Sequence, residues 1–469
     1  MVLAPLRPYQ REAIAAALAR MQSGGGFGLF FEQRAGKTRT ALTIVARCRP
    51  KHLWVICPKA GGAAPEVWWR EIEQCRAIFP ELDDIQIRVE NYEQWVKRRK
   101  ATYAEARKLK DLFVICDESH YIKKRGTSRS RTTRRIGRYA RWRLALTGTP
   151  IAQGIQDAWA QFDFIDPSVF GPWDDQFDGM IRTHEGFDSR YLVWGGYKAV
   201  NPRTHKREPT DVVGVNNEAE FYEKFHAHCY RITLREARTA PLLIKYTRVP
   251  VDLSRASSRI YDDLEQLLVA EVNERKVKVK NILACLIKLQ QVTGGTVLLD
   301  SDHYPPVPTP TNIGREKLEA LHTVVRGLRS RTKFIVIARF VHEIKRIARE
   351  LHRLNFTVKE VRAGHPYDGK FECDCIVMQE QAGIAVDMSQ ADIIIYYSMD
   401  FSMINFEQSR FRVLTYDKPH VQYYFLMATG TVDEYIYTAV TKKRNLAKLI
   451  CDVYRHGRLQ TVIRKDARG

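Results

Sequence analysis

A chain of 469 residues is longer than one ordinary core organises, so two or three domains are expected. Its 45% hydrophobic and 28% charged content belongs to a folded chain and excludes a disordered polymer. The net charge of +21 points to a polyanionic partner, nucleic acid or an anionic surface, and no run of about 18 apolar residues offers a membrane span. The opening "MVLAPLRPYQREA" lacks the basic flank and apolar core of a signal peptide. The nine cysteines are scattered; Cys373-x-Cys375 has no matching second pair, so reduced thiols rather than a zinc site are expected. Cys57 and Cys116 sit inside apolar runs, where a thiol behaves as a small hydrophobe.

In chain order, "FGLFF" reads as a strand and "TRTALTIVARC" as a helix. "HLWVICP" is a second strand, "APEVWWREIEQC" a helix, and "IQIRVENY", "DLFVICDE" and "WRLALTGTP" follow as further strands. Short continuous apolar runs between helical periods indicate a parallel sheet covered on both faces. From about 170 to 230 the chain is rich in glycine, proline and aromatics and reads as an irregular insertion. Its Trp173, Phe177 and Tyr191 are read as packing residues in preference to a strand-separating wedge. Helical periods return at "SSRIYDDLEQLLVAEVNERK" and "VKNILACLIKLQQV", and a proline-rich loop follows. A second alternating series comes next: "KFIVIARF", "VHEIKRIARELHRL", "FTVKEV", "CDCIVMQ", "ADIIIYYS" and a helix near "NFEQSRFR". The expected fold is α/β, with two tandem parallel-sheet lobes and an insertion. The expected divisions are a first lobe over 1–165, the insertion over 166–232, a second lobe with a helical lead-in over 233–455, and a basic tail over 456–469.

The stretch "GLFFEQRAGKTRTAL" carries the first chemistry. Gly36, Lys37 and Thr38 fit the end of G-x-x-x-x-G-K-[ST], but Phe31 stands where the first glycine belongs. A strand, a tight loop and a helix start form the context in which backbone N–H groups and the helix dipole cradle phosphates. Lys37 would reach the β- and γ-phosphates, and Thr38 would hold Mg²⁺. Some eighty residues on, "LFVICDESH" ends an apolar strand in two carboxylates. Asp117 is placed to hold Mg²⁺ and Glu118 to orient and deprotonate the attacking water. The two parts together point to nucleoside triphosphatase chemistry.

From "DESH" and "ALTGTP" outward, the chain resembles superfamily 2 helicases, specifically the Swi/Snf-like branch. "LRPYQREAI" resembles that branch's opening glutamine motif, and "VICPKAGGAAPEVWWREIEQC" and "ENYEQW" its motifs Ia and Ib. "GREKLEAL", "KFIVIARF", "QAGIAVDMSQAD" and "NFEQSRFR" are similar to the second-lobe motifs. In that branch the position of Phe31 is not normally glycine, and the "EQRAGKT" loop looks like that of compact bacteriophage-encoded members. The resemblance implies two RecA-like lobes facing each other across an ATP cleft, with ATP and Mg²⁺ as cofactors. It carries nucleotide contacts to Arg7, Gln10 (at the position that reads adenine), Arg34, Ala35, Gly36, Lys37, Thr38, Arg39, Gly383 and Asp387. Two departures stand out. Arg34 replaces a common glycine, and the later arginine of motif VI falls on Thr415, leaving Arg410 and Arg412 as candidates for the arginine that stabilises the γ-phosphate.

Lys123 to Arg143 holds ten Lys and Arg without one Asp or Glu, with hydroxyls interleaved, as a phosphate-gripping segment would. The nucleic-acid candidates are Lys59, Tyr92, Lys123, Lys124, Arg125, Arg129, Arg131, Thr147, Thr149 and Arg339. The two threonines suit either a relay to DNA or helix-start chemistry. The basic tail suits either a DNA tether or a disordered end. No base-reading motif is present, so backbone-driven, salt-sensitive DNA binding is expected. The resemblance implies a monomeric DNA translocase or helicase working on duplex or branched DNA, with phage or host replication and recombination proteins beside it, in the host cytoplasm. The alternatives are a DNA-tracking ATPase that displaces bound proteins and a DNA-binding scaffold with a decayed ATPase.

Overall fold

The computed structural model describes residues 5–59, 65–152, 154–170, 186–200, 207–238, 241–273, 279–299, 309–362, 365, 371–380, 388–414 and 418–441. The chain divides between Thr239 and Ala240 into two units. No helix among the described residues is long and apolar enough to cross a membrane.

The first unit contributes strands β1 (Gly25–Phe31), β2 (His52–Cys57), β3 (Gln86–Asn91), β4 (Leu112–Asp117), β5 (Trp142–Leu146), β6 (Leu192–Val200), β7 (Arg207–Val215) and β8 (Cys229–Ile232). Its helices are α1 (Pro8–Arg20), α2 (Lys37–Cys48), α3 (Pro65–Arg76), α4 (Tyr92–Lys97), α5 (Arg99–Ala106), α6 (Ser128–Tyr139), α7 (Gln156–Ile165), α8 (Phe187–Tyr191), α9 (Glu218–Ala227) and α10 (Leu234–Ala237). Six strands form one parallel sheet in the order β3-β2-β4-β5-β1-β8. Every residue of β4 is buried, as is nearly all of β1 and β2, because helices cover both faces. Those are the runs that read as continuous apolar stretches in the sequence.

The second unit contributes β9 (Leu243–Val251), β10 (Thr296–Leu299), β11 (Thr309–Asn312), β12 (Phe334–Ala338), β13 (Val358–Val361), β14 (Cys375–Gln379), β15 (Ile393–Tyr396) and β16 (His420–Ala428). Its helices are α11 (Arg255–Asn273), α12 (Val279–Thr293), α13 (Glu316–Arg326), α14 (Val341–Arg353), α15 (Met403–Arg410) and α16 (Val432–Thr441). Its sheet is also parallel, in the order β13-β14-β12-β15-β16-β9. Two tandem parallel-sheet α/β lobes are therefore present, as the alternating pattern required.

The region expected to be an irregular insertion is more ordered than its composition indicates. β6 and β7 form an antiparallel ribbon from Leu192↔Val215 to Val200↔Arg207, with register shifts after Val193 and Gly195. Those shifts and the glycines break the two-residue alternation by which a strand is recognised. Phe170, Phe187, Tyr191, Phe221 and Phe225 root this region in the lobe-1 core, with Phe170 stacked on Phe221 at 5.1 Å. Tyr191 packs as expected, while Trp173 and Phe177 lie outside the described residues. The strand β8 completes the first sheet beside β1, so Cys229–Ile232, expected in the insertion, and the residues from Thr233 to Ala237, expected in the second lobe, lie in the first unit.

Lobe 2 buries charge. Lys317, 1% exposed, pairs with Asp433 at 2.6 Å and donates to the Tyr397 carbonyl at 2.9 Å. Burial pushes the Glu343 carboxyl up to about 7 and that of Glu380 up to about 8. A carboxyl raised in the folded state contributes stability that is complete below its ordinary value and is lost as pH climbs through the raised one. Lobe 2 should therefore melt at lower temperature at pH 9 than at pH 6. Raising a carboxyl by one pH unit on folding is worth about 1.4 kcal/mol, so a fall of roughly 5 °C or more is expected. Calorimetry of Glu343→Gln and Glu380→Gln should show that loss reduced; an unchanged pH dependence in both variants would rule these carboxyls out as its source.

Candidate active site

β1 ends at Phe31 and α2 begins at Lys37, so the loop between them sits at the carboxyl edge of the sheet. Gly36 caps α2 with φ 80°, and a Cβ there would approach Gln10 Nε2 to 2.7 Å. Strain and space together exclude a side chain. The first turn of α2 presents backbone N–H groups without intrahelical partners at the positive end of the helix dipole. Arg34 adopts φ 68° with no glycine's freedom, a strain of about 1–2 kcal/mol. Its side chain is exposed.

α1 straps this loop. Tyr9 Oη donates to the Ala35 carbonyl at 2.9 Å. Gln10, 4% exposed, accepts from the Arg7 N–H at 3.0 Å and donates from Nε2 to Thr40 Oγ1 at 3.0 Å. The Gln10 amide is thus engaged by its own lobe, and half-buried Arg7 lies against Tyr9 Oη at 3.4 Å. Thr38 is half-buried in the first turn of α2. Arg39 is half-buried in the same turn.

Register brings the second part level with the first. Asp117 on β4 pairs with Leu146 on β5, which pairs with Leu29 on β1. β4 and β1 are two strand spacings apart, about 10 Å. Lys37 lies on the β1 side of this gap. Its Nζ donates to the Phe31 carbonyl at 3.0 Å, and its charge acts on both Asp117 and Glu118. Asp117 is 4% exposed and held at three points. Its Oδ2 accepts from Trp68 Nε1 at 2.8 Å, its Oδ1 from the Glu118 N–H at 2.9 Å, and its carbonyl from Tyr92 Oη at 2.7 Å. Burial, then the neighbouring Glu118, push the Asp117 carboxyl up to about 7. Burial also opposes ionisation of Glu118, but the His120 ring and Lys37 outweigh it and hold that carboxyl below its usual value.

Glu118 has φ 47°, a left-handed conformation that turns its side chain off the strand line. His120 Nδ1 lies 3.2 Å from Glu118 Oε2 and 3.0 Å from Thr147 Oγ1, which accepts from the Thr149 N–H at 3.1 Å. Lys37 faces buried Asp117 and half-buried Glu118 here, and that pair of carboxylates suits a divalent cation held by Asp117 and a hydroxyl such as Thr38.

The nucleic-acid candidates divide sharply. Lys59, Lys124 and Arg131 are exposed, and Thr149 is half-buried. Tyr92 and Thr147, expected to touch nucleic acid, are 1% and 0% exposed, and their hydroxyls are bonded inside the lobe. The basic segment is largely neutralised by carboxylates from elsewhere in lobe 1. Lys123 lies 3.6 Å from Asp157, and Arg125 grips Asp188 with two bonds of 2.7 Å. Arg129 pairs with Glu93 and sits over the Tyr121 ring at 5.0 Å. In lobe 2, Arg339 donates to Gln290 Oε1 at 2.7 Å and stacks on Phe401 at 4.4 Å. These acidic partners are distant in sequence, so a charge count along the segment does not see them.

The two candidate fingers are also engaged. Arg410 donates to Tyr246 Oη at 2.8 Å and pairs with Glu407. Arg412 is 5% exposed, with its charge acting on buried Glu380. Gly383, Asp387, Thr415 and the tail 456–469 lie outside the described residues. The sequence reading missed Trp68 and His120 as members of the site and misplaced Tyr92, because a buried polar tip is assigned only by what the fold brings to it.

Residues 75–295 match the family model of the SNF2-related domain. The chain is 27% identical over 273 residues to the DNA annealing helicase and endonuclease ZRANB3 of Homo sapiens, covering 55% of this chain and 23% of that protein. It is 22% identical over 372 residues to the uncharacterized ATP-dependent helicase MG018 of Mycoplasma genitalium, covering 76% of this chain and 31% of that protein. The chain thus spans under a third of the length of these two relatives. In fold it is similar to the Hef helicase domain of Pyrococcus furiosus, with a TM-score of 0.50 at 13% identity, covering 93% of this chain and 98% of that one. Residues 75–295 are thus similar to an SNF2-related domain, and the two parallel-sheet α/β lobes have the fold of the Hef helicase domain.

Proposed function

We propose that this protein is an ATP-driven DNA translocase or helicase acting on duplex or branched DNA. The observation that carries the reading is that the sheet register brings Lys37, at the amino end of α2, level with Asp117 and Glu118 at the carboxyl end of β4, where its charge acts on both. The loop N–H groups and Lys37 bind the triphosphate, and Arg34 adds charge beside it. Thr38 and Asp117 hold Mg²⁺, which when bound neutralises the phosphate oxygens. Glu118, kept ionised by His120, orients the attacking water and takes its proton. The chain Glu118–His120–Thr147–Thr149 links this base to the following loop. DNA contact falls to Lys59, Lys124, Arg131 and Thr149, and the 166–232 region sets substrate preference. The loop resemblance supports a place in phage replication, recombination or repair.

The test is steady-state ATP hydrolysis without nucleic acid and with single strands, duplex, forks and four-way junctions. Stimulation greatest with forks or junctions is expected. Equal stimulation by plain duplex, with no strand separation, would favour a DNA-tracking ATPase that displaces proteins. Absence of hydrolysis under every condition would overturn the motor reading. Lys124→Ala with Arg131→Ala should weaken duplex binding several-fold and flatten its salt dependence, as loss of about two phosphate contacts requires; titration at two salt concentrations checks this.

A further inference from the structure

We infer that Trp68 is a positioning residue for the metal-binding carboxylate, fixing Asp117 through its indole N–H. The inference rests on the nucleotide reading above and goes beyond it to a residue on a different element. Trp68 lies on α3, 1% exposed, 49 residues before Asp117 in sequence. A buried indole needs an acceptor, and a core tryptophan ordinarily takes whatever carbonyl is near. Trp95 and Trp142 in the same lobe do this, donating to the Glu90 and Met21 carbonyls at 3.0 Å. Trp68 instead donates to a carboxylate oxygen, Asp117 Oδ2, at 2.8 Å.

The geometry around that bond is complete. Oδ1 is fixed by the Glu118 N–H, and the Asp117 carbonyl is fixed by Tyr92 Oη from α4. Rotation of the carboxylate about its Cβ–Cγ bond would break both side-chain bonds together. One remaining lone pair on each oxygen is left in a defined direction, as an ion with octahedral demands requires. Partners that orient a metal ligand typically contribute 10–100-fold in metal affinity or activity.

The experiment measures Mn²⁺ binding in the presence of ADP by electron paramagnetic resonance, using the full chain and Trp68→Phe. A 10–100-fold loss of Mn²⁺ affinity is expected, with ADP binding in the absence of metal unchanged. The Mg²⁺ concentration for half-maximal hydrolysis should rise in parallel, with little change in the KM for ATP at saturating metal. Should the smaller ring unfold the lobe, benzothienylalanine at position 68, which replaces the N–H by sulfur in the same shape, carries the same expectation. Mn²⁺ binding equal to wild type in the folded variant overturns the inference and leaves the nucleotide reading intact. Wild-type protein that binds no Mn²⁺ with ADP overturns both. Wild-type protein that binds Mn²⁺·ADP but never hydrolyses ATP removes the motor reading alone.

Discussion

Glu118→Gln should lower DNA-stimulated ATP hydrolysis by about 10³-fold while ATP and duplex DNA still bind. Glutamine keeps the volume of the side chain and an oxygen that can accept from His120 Nδ1, now 3.2 Å from the carboxylate. It cannot take a proton from water. General-base catalysis of this kind contributes about 10²–10⁴-fold, and the figure falls within that span because His120 and Lys37 hold Glu118 in its ionised form. Lys37→Ala should behave differently, since it removes a phosphate contact and weakens ATP binding itself. Single-turnover hydrolysis beside equilibrium binding of ATP separates the two. A Glu118→Gln variant that hydrolyses ATP at even a tenth of the wild-type rate would remove Glu118 from the role of base.

Arg134→Ala should destabilise lobe 1 by about 3–5 kcal/mol, the cost of leaving a buried carboxylate without its partner. Arg134 is 3% exposed and donates to Asp163 Oδ2 at 3.0 Å and to the Arg125 carbonyl at 3.1 Å. Its guanidinium also lies 5.1 Å from the centroid of the buried Trp159 ring. Asp163 would keep the more distant Arg138, at 3.8 Å, and the charge of Arg143 to balance its own. Denaturant melts of the purified protein check the magnitude. The same measurement on Lys124→Ala with Arg131→Ala should show little change, since those side chains are exposed. A loss of duplex affinity without loss of stability in Arg134→Ala would show that this arginine serves DNA and not the core.

The contrast within one basic segment explains what the sequence could and could not reveal. Buried parallel strands such as Leu112–Asp117 announce themselves because both faces are covered and every position is apolar until the carboxyl end. The placement of Lys37 at a helix start and of Asp117 and Glu118 at a strand tip was legible for the same reason. The edge strand Leu243–Val251 was not legible. It is largely exposed, it contains Pro250, and its one ladder is with β16, nearly 180 residues later. Tyr92 reads as a surface aromatic beside charged residues, and only the folded sheet sets its hydroxyl against the Asp117 carbonyl. Likewise Arg125 and Arg134 look free along the chain and meet Asp188 and Asp163 only in space.

The position of β1 in its sheet also fixes the order in which the lobe can be made. β1 leads into the loop before α2, yet one neighbour, β5, lies more than a hundred residues downstream, and the other, β8, about two hundred. On a ribosome adding about 5–20 residues per second, the Gly28–Phe31 edge waits roughly 10–40 s for Cys229–Ile232 to emerge. Throughout that interval a highly apolar strand has an open side. Lobe 1 is therefore a late-closing structure in which the loop between β1 and α2 gains its final support only when nearly half of the chain has been synthesised, and the nascent chain is most vulnerable to mispairing at the strand that leads into the proposed nucleotide site.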